Sequence, residues 1–194
     1  EPVVAVDQEG GLVKRITWDD TGSHKEIALL DEEGQCNAWK ERSTLLRGLG
    51  LYWNLGIVAD VSQDETSFIY PRTFSENYAE AAESGQIATN CSEGTITTLK
   101  HWPGHGATHV DTHQQLGELD VQNKEVWDKT DNIPFKSIEN ADSIMVGHLL
   151  TPWLNPEVPA SLSKVHIDYL REDMDFSGLV VTDDLMMLTQ SGYT

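Results

Sequence analysis

Basic side chains are scarce in this 194-residue chain: 13 Lys and Arg stand against 32 Asp and Glu, a formal charge of −19 at pH 7. A surface so acidic repels phosphate backbones, and nucleic acid is not an expected partner. No apolar run approaches the roughly 18 residues that a membrane-spanning helix needs, so no membrane span is expected. Cysteine is nearly absent: Cys36 and Cys91 lie far apart and in no metal-like spacing. They read as two buried or half-buried thiols on helices, with a disulfide as the alternative. Internal repeats and low-complexity linkers are missing as well, and the length suits one core. The stretch Glu1 to Asp7 does not read as a charged-then-apolar leader. That leaves localisation open, and the oligomeric state is equally open.

What is present is an alternation of short apolar runs and longer helical patterns. Strands are expected over Val3–Val6, Leu55–Val61, Thr95–Leu99, Ser143–Val146 and Gly178–Val181. Helices are expected over Glu33–Leu49, over Ser75–Asn90 with Ser75 as cap, and over Lys164–Met174 with Ser163 as cap. Alternating elements with near-continuous apolar strands predict a parallel sheet covered by helices. Every expected strand ends in polar or charged residues, at the edge where barrels and open α/β sheets bind ligands. The expected fold class is α/β, a (β/α)8 barrel with about five of its eight units in this chain. Residues 1–194 then form a single catalytic barrel domain, an internal piece with its first and last units outside it. A complete five-stranded doubly wound domain is the competing architecture.

The densest chemistry lies in Lys100-His101-Trp102-Pro103-Gly104-His105-Gly106-Ala107-Thr108-His109-Val110-Asp111-Thr112-His113. Pro103, Gly104 and Gly106 forbid regular structure there, so the ionisable groups belong to a working loop. Asp111 and His113 leave the same face of an extended segment. An Asp accepting from one imidazole nitrogen leaves the other nitrogen free to move protons. His101, His105, His109 and His113 recur every four residues, but the loop's Pro and Gly break the helix that would align them as metal ligands. No metal and no cofactor is expected. His105 suits a bond to the loop's own backbone, and His148 suits either a strand-end role or a satisfied core position.

Asp183 and Asp184 are adjacent carboxylates at a strand end. The economical arrangement points one into the sheet's mouth and bonds the other to neighbouring backbone; a helix cap is the plain alternative for either. Asp7 ends the first strand before the turn Gln8-Glu9-Gly10-Gly11. Arg15, Arg72 and Lys100 suit either contacts to sugar hydroxyls or a carboxylate, or pairing with a structural acid.

In one order and with believable gaps, these segments resemble family 3 glycoside hydrolases, and among them the β-N-acetylglucosaminidases with an Asp-x-His element. The segments that carry the likeness are Asp7-Gln8-Glu9-Gly10-Gly11 through Arg15, Asn54 to Val61, Arg72-Thr73-Phe74, Lys100 to His113, Pro159 to Ser163, and Gly178 to Met186. The resemblance implies a (β/α)8 barrel and a retaining hydrolase, a β-N-acetylhexosaminidase that removes terminal β-linked N-acetylglucosamine from oligosaccharides or peptidoglycan fragments. By it, Asp183 is the nucleophile, and His113, oriented by Asp111, is the acid/base. Asp7, Arg15, Arg72, Lys100 and His101 would hold the terminal sugar. Leu12, Trp102, Ala107 and Ser75 depart from the family pattern, and Trp18 to Glu33 follows it poorly. The rivals are a relative acting on β-glucosides or by phosphorolysis, a non-catalytic carbohydrate-binding module, and a metal-dependent hydrolase built on the four histidines.

Overall fold

The computed structural model describes residues 3–108, 110 and 116–193. The chain begins with β1 (Ala5–Val6) and a short antiparallel hairpin of β2 (Gln8–Gly10) and β3 (Val13–Lys14). Two helices come next, α1 (His24–Ala28) and α2 (Glu32–Gly48). They lead to β4 (Trp53–Val58), α3 (Tyr78–Cys91), β5 (Ile96–Trp102) and a two-residue β6 (Gly117–Glu118). The rest is α4 (Lys124–Asp128), α5 (Asn132–Ser137), β7 (Ser143–Val146), β8 (Leu149–Leu150), α6 (Lys164–Asp168) and β9 (Leu179–Thr182).

Strands β1, β4, β5, β7 and β9 form one sheet in that spatial order, every pair parallel. The sheet advances in the order of the chain and never reverses. A doubly wound sheet would reverse strand order at a switch point, so that alternative falls. The arc is that of a (β/α)8 barrel, five strands wide. The small pair β6–β8 lies outside this sheet.

The core explains the alternation read from the sequence. Ile57, Leu99, Ile144 and Val146 are buried with Trp39, Ala81 and Ala88 from the helices, in one cluster with Trp102, Trp127 and Leu170. Strand β5 runs through Lys100 and His101 rather than stopping at Leu99, and β4 ends earlier than expected, at Val58. Beyond β4, Ala59 N–H still donates to the Lys100 carbonyl (2.8 Å), so Asp60 sits opposite His101.

Local chemistry corrects three other expectations. Asn77 caps α3 in place of Ser75, its Oδ1 accepting from Ala79 and Glu80 N–H; Ser75 instead donates to Glu80. Ser163 makes no side-chain cap, because its Oγ accepts from Asn155, and the expected helix over Lys164–Met174 changes to a wider π turn at Tyr169–Asp173. Cys36 and Cys91 are not free thiols. They form a disulfide that staples α2 to α3 across a sequence separation of 55. A five-residue α1 fills part of the stretch without family likeness, held by a capping box between Ser23 and Glu26.

Candidate active site at the strand ends

The hairpin is the first device that builds the site. Asn54 of β4 clamps it, Oδ1 accepting from Gln8 N–H and Nδ2 donating to the Gln8 carbonyl, both at 3.1 Å. Only a glycine fits beside this clamp: a Cβ at Gly56 would lie 2.5 Å from both Asn54 Oδ1 and the Gln8 carbonyl oxygen. The Gln8 side chain gathers the other half of the hairpin, its Oε1 accepting from Arg15 and Ile16 N–H and its Nε2 donating to Asp19. Behind it, the fully buried Arg42 donates to Asp19 (2.9 Å), Thr21 and the Gly22 carbonyl.

So placed, β2 projects Glu9 into a cationic nest. Arg72 meets the Glu9 carboxylate through two parallel bonds, Nε to Oε2 at 2.9 Å and Nη2 to Oε1 at 2.8 Å. Lys100 Nζ lies 2.7 Å from the same Oε1 and donates to Asp7 Oδ1 at 2.8 Å. Burial pushes the Glu9 carboxyl upward, but Lys100 and Arg72 outweigh it and hold the group far below the usual carboxylate range. Lys100 has three N–H donors and spends two of them here. Asp7 keeps a partly exposed carboxylate that a ligand hydroxyl can reach.

His101 completes the wall. Its Nδ1 lies 2.7 Å from Asp60 Oδ2 and its Nε2 3.3 Å from Arg72 Nη2. Asp60 also anchors the loop beyond β5, accepting from His105 N–H at 2.6 Å. Gly106 lets that loop press on the end of β4, since a Cβ there would meet the Val61 carbonyl oxygen at 1.6 Å. The His105 ring is buried, edge-on to Phe68 at 4.8 Å and to His101 at 5.8 Å. Among the described residues no group of three or more His, Cys, Asp or Glu could hold a metal ion. Asp111 and His113 lie outside the described residues, as does His109.

Asp183 comes directly after β9, its N–H extending the ladder to the Val146 carbonyl (3.0 Å) and its Oδ1 accepting from Asp184 N–H (2.8 Å). Burial raises its pKa, but the nearby His101 ring, the Asp184 amide, His148 and Lys100 together bring it below the ordinary value. The carboxylate lies within electrostatic reach of Lys100 and Arg72. Its neighbour Asp184 turns to the backbone and caps the next 3₁₀ turn through Met186 N–H. His148 is a satisfied core histidine: Nε2 donates to the Asp184 carbonyl (2.9 Å) and Nδ1 accepts from Ser161 (2.7 Å).

Of the residues expected to bind ligand, Asp7, Arg72, Lys100 and His101 converge. Arg15 does not join them through its side chain, which is exposed and makes no ion pair among the described residues; its contribution is a backbone N–H to Gln8. Sequence reading missed Glu9 and Asp60 as members of the cluster. Glu9 lies on β2, two residues after Asp7 at the junction of β1 and β2, and that nearness to Asp7 was the available signal. Asp60 stood in the family-like stretch Asn54 to Val61, but nothing in that stretch ranked it as a site residue.

Fold and site together define a (β/α)8-type barrel protein with a charged cluster at the C-terminal ends of its strands. The description "Glycosyl hydrolase family 3 N terminal domain" matches residues 2–193, and the chain belongs to that family. It is 32% identical over 209 residues to a beta-hexosaminidase A of Pseudoalteromonas piscicida, covering 95% of this chain and 35% of that protein. It is 32% identical over 199 residues to a beta-hexosaminidase of Stenotrophomonas maltophilia, covering 95% and 58%. A family 3 beta-N-acetylglucosaminidase structure from Paenibacillus superposes with a TM-score of 0.91 at 30% identity, covering 98% of this chain and 38% of that one. NagZ from Neisseria gonorrhoeae, in complex with N-trifluoroacetyl-D-glucosamine, gives 0.86 at 26% identity, covering 95% and 58%. The chain thus spans between about a third and three-fifths of these relatives.

Proposed function

We propose that residues 1–194 are the catalytic barrel of a retaining β-N-acetylhexosaminidase, which removes terminal non-reducing β-linked N-acetylglucosamine from oligosaccharides or peptidoglycan fragments. The observation that carries this reading is the Arg72–Glu9–Lys100–Asp7 cluster at the strand ends, with Asp183 directly after β9 on the same edge of the sheet. A ring of fixed donors and acceptors suits a polyhydroxyl ligand, which both gives and takes hydrogen bonds. In the first step the Asp183 carboxylate attacks the anomeric carbon as the bond to the leaving oxygen breaks, and His113 gives that oxygen its proton. In the second step His113 takes a proton from water, whose oxygen displaces Asp183 and restores the free carboxylate. Asp111 orients His113. Asp7, Lys100, Arg72 and His101 hold the terminal sugar, with Arg15 at the hairpin's rim.

The test is release of an aryl N-acetyl-β-glucosaminide by the full-length protein. Replacing Asp183 with Asn should abolish turnover, and His113→Ala should lower it about 10²-fold or more. Unchanged turnover in the Asp183 variant rejects the assignment. Acceleration by added phosphate, with a sugar phosphate as product, would replace hydrolysis by phosphorolysis.

A further inference from the structure

Asp60 is fully buried, so no ligand touches it. It nevertheless accepts three hydrogen bonds around the pocket wall. Oδ2 takes the His101 backbone N–H (3.0 Å) and stands 2.7 Å from His101 Nδ1, while Oδ1 takes His105 N–H. The other imidazole nitrogen, Nε2, faces Arg72 Nη2 at 3.3 Å. A guanidinium has only hydrogens to offer, so Nε2 must present its lone pair to Arg72. The ring proton then sits on Nδ1 and is donated to Asp60. A carboxylate at one end and an obligate donor at the other leave a single tautomer that satisfies both.

Resting on the reading of this pocket as a sugar site, we propose that Asp60 is a positioning residue for recognition. By holding the proton on His101 Nδ1 it keeps Nε2 an acceptor, which takes the Arg72 Nη2 hydrogen and so fixes the orientation of the guanidinium in the sugar site. The same carboxylate ties the root of the loop at His105 to the end of β4, so the orientation of His101 and the start of that loop are set by one group. Imidazoles fixed through a carboxylate behind them are a recurring way of choosing which nitrogen faces a ligand.

Long-range ring correlations in ¹⁵N-labelled full-length protein test this directly, with the His101 signals assigned by their loss in His101→Gln. At pH 8 the ring should show a protonated Nδ1 and a bare Nε2. A proton on Nε2, with Nδ1 either bare or protonated, overturns the proposal without any variant and without any turnover. In Asp60→Asn the amide can donate to Nδ1, so the ring should switch to the Nε2–H form. KM for the aryl N-acetylglucosaminide should then rise about tenfold or more while kcat changes less. A merely structural Asp60 would lower the melting temperature and the active fraction, leaving the tautomer and KM as they were, and that result also overturns the proposal. If the parent protein hydrolyses no aryl glycoside, the hydrolase reading falls. The ring signals, with calorimetric titration of N-acetylglucosamine into parent and variant, still decide the role of Asp60.

Discussion

Arg72 and Glu9, 63 residues apart, meet through two parallel hydrogen bonds at the mouth of the barrel, with Glu9 only 1% exposed. The pair is enclosed and geometrically matched, and Lys100 shares one of its oxygens. Such a cluster is sensitive to the loss of a single member, because the partner charges stay buried when one is removed.

Glu9→Gln should therefore be severe. Removing one partner of a buried ion pair costs about 3–5 kcal/mol, which corresponds to a fall in melting temperature on the order of 10 °C for a domain of this size. KM should rise as Arg72 and Lys100 lose their alignment. The Glu9 carboxyl is held far below its ordinary range, so the folded state keeps its charge where an unfolded chain would take a proton. The stability it contributes is fully present above the unfolded value of about 4.5 and lost as pH falls below it. Thermal scans of parent and variant should show a gap that narrows as pH falls from 7 to 3. A constant gap would count against the charge-based account.

The Cys36–Cys91 bridge closes a separation of 55 residues. Chain-entropy arguments give about 4 kcal/mol for a loop of that size. Thiol titration of the denatured, unreduced protein should find neither cysteine reactive, and Cys36→Ser/Cys91→Ser should melt markedly lower. Two titratable thiols in the native preparation, or a double variant as stable as the parent, would contradict the bridge.

Acidification brings opposing effects. Burial holds His24 down to about 3 and both His105 and His166 down to about 4, against 6.5 for a free imidazole. Between those values the unfolded chain binds more protons, so these three groups make stability fall as pH drops through 6.5. Asp131 does the reverse. Burial raises it to about 6 from 3.8, and its Oδ1 has no hydrogen-bond partner among the described residues. The folded state therefore holds an extra proton between pH 3.8 and 6, and ionised Asp131 is a burden above that range. Asp131→Asn should stabilise the protein at pH 7 by on the order of 2 kcal/mol. The gain should shrink as pH falls through 6 and vanish below about 4. Melting curves of parent and variant at pH 7 and pH 5 test the trend; a larger gain at pH 5 would refute it.

How much of this was legible beforehand depends on which interactions are local. The strands, their order and the strand-end residues Asp7, Lys100, His101 and Asp183 could be read because apolar periodicity and its interruption are properties of neighbouring residues. Glu9 could not be ranked, since a carboxylate becomes part of a buried site only when cations from β5 and from the turn at Tyr70–Arg72 arrive beside it. Asp60 was visible within the family-like stretch Asn54 to Val61, but its role was not, because that role comes from His101, 41 positions later. The pairing of Cys36 with Cys91 needs the packing of α2 on α3, which no spacing rule contains. The cap of α3 was misplaced by two residues because Ser75 and Asn77 both suit the role, and only the backbone turn decides between them.

The neighbouring acids at 183 and 184 are not interchangeable despite identical chemistry. Asp183 accepts from Asp184 N–H and lies within electrostatic reach of Lys100, while Asp184 is spent on Met186 N–H. Sliding the reactive group one position along the chain would therefore unfasten the beginning of the final turn as well as displace the charge. Any drift of this segment must keep both side chains in register, so a lineage can vary the chain beyond Met186 far more easily than it can shift the pair itself.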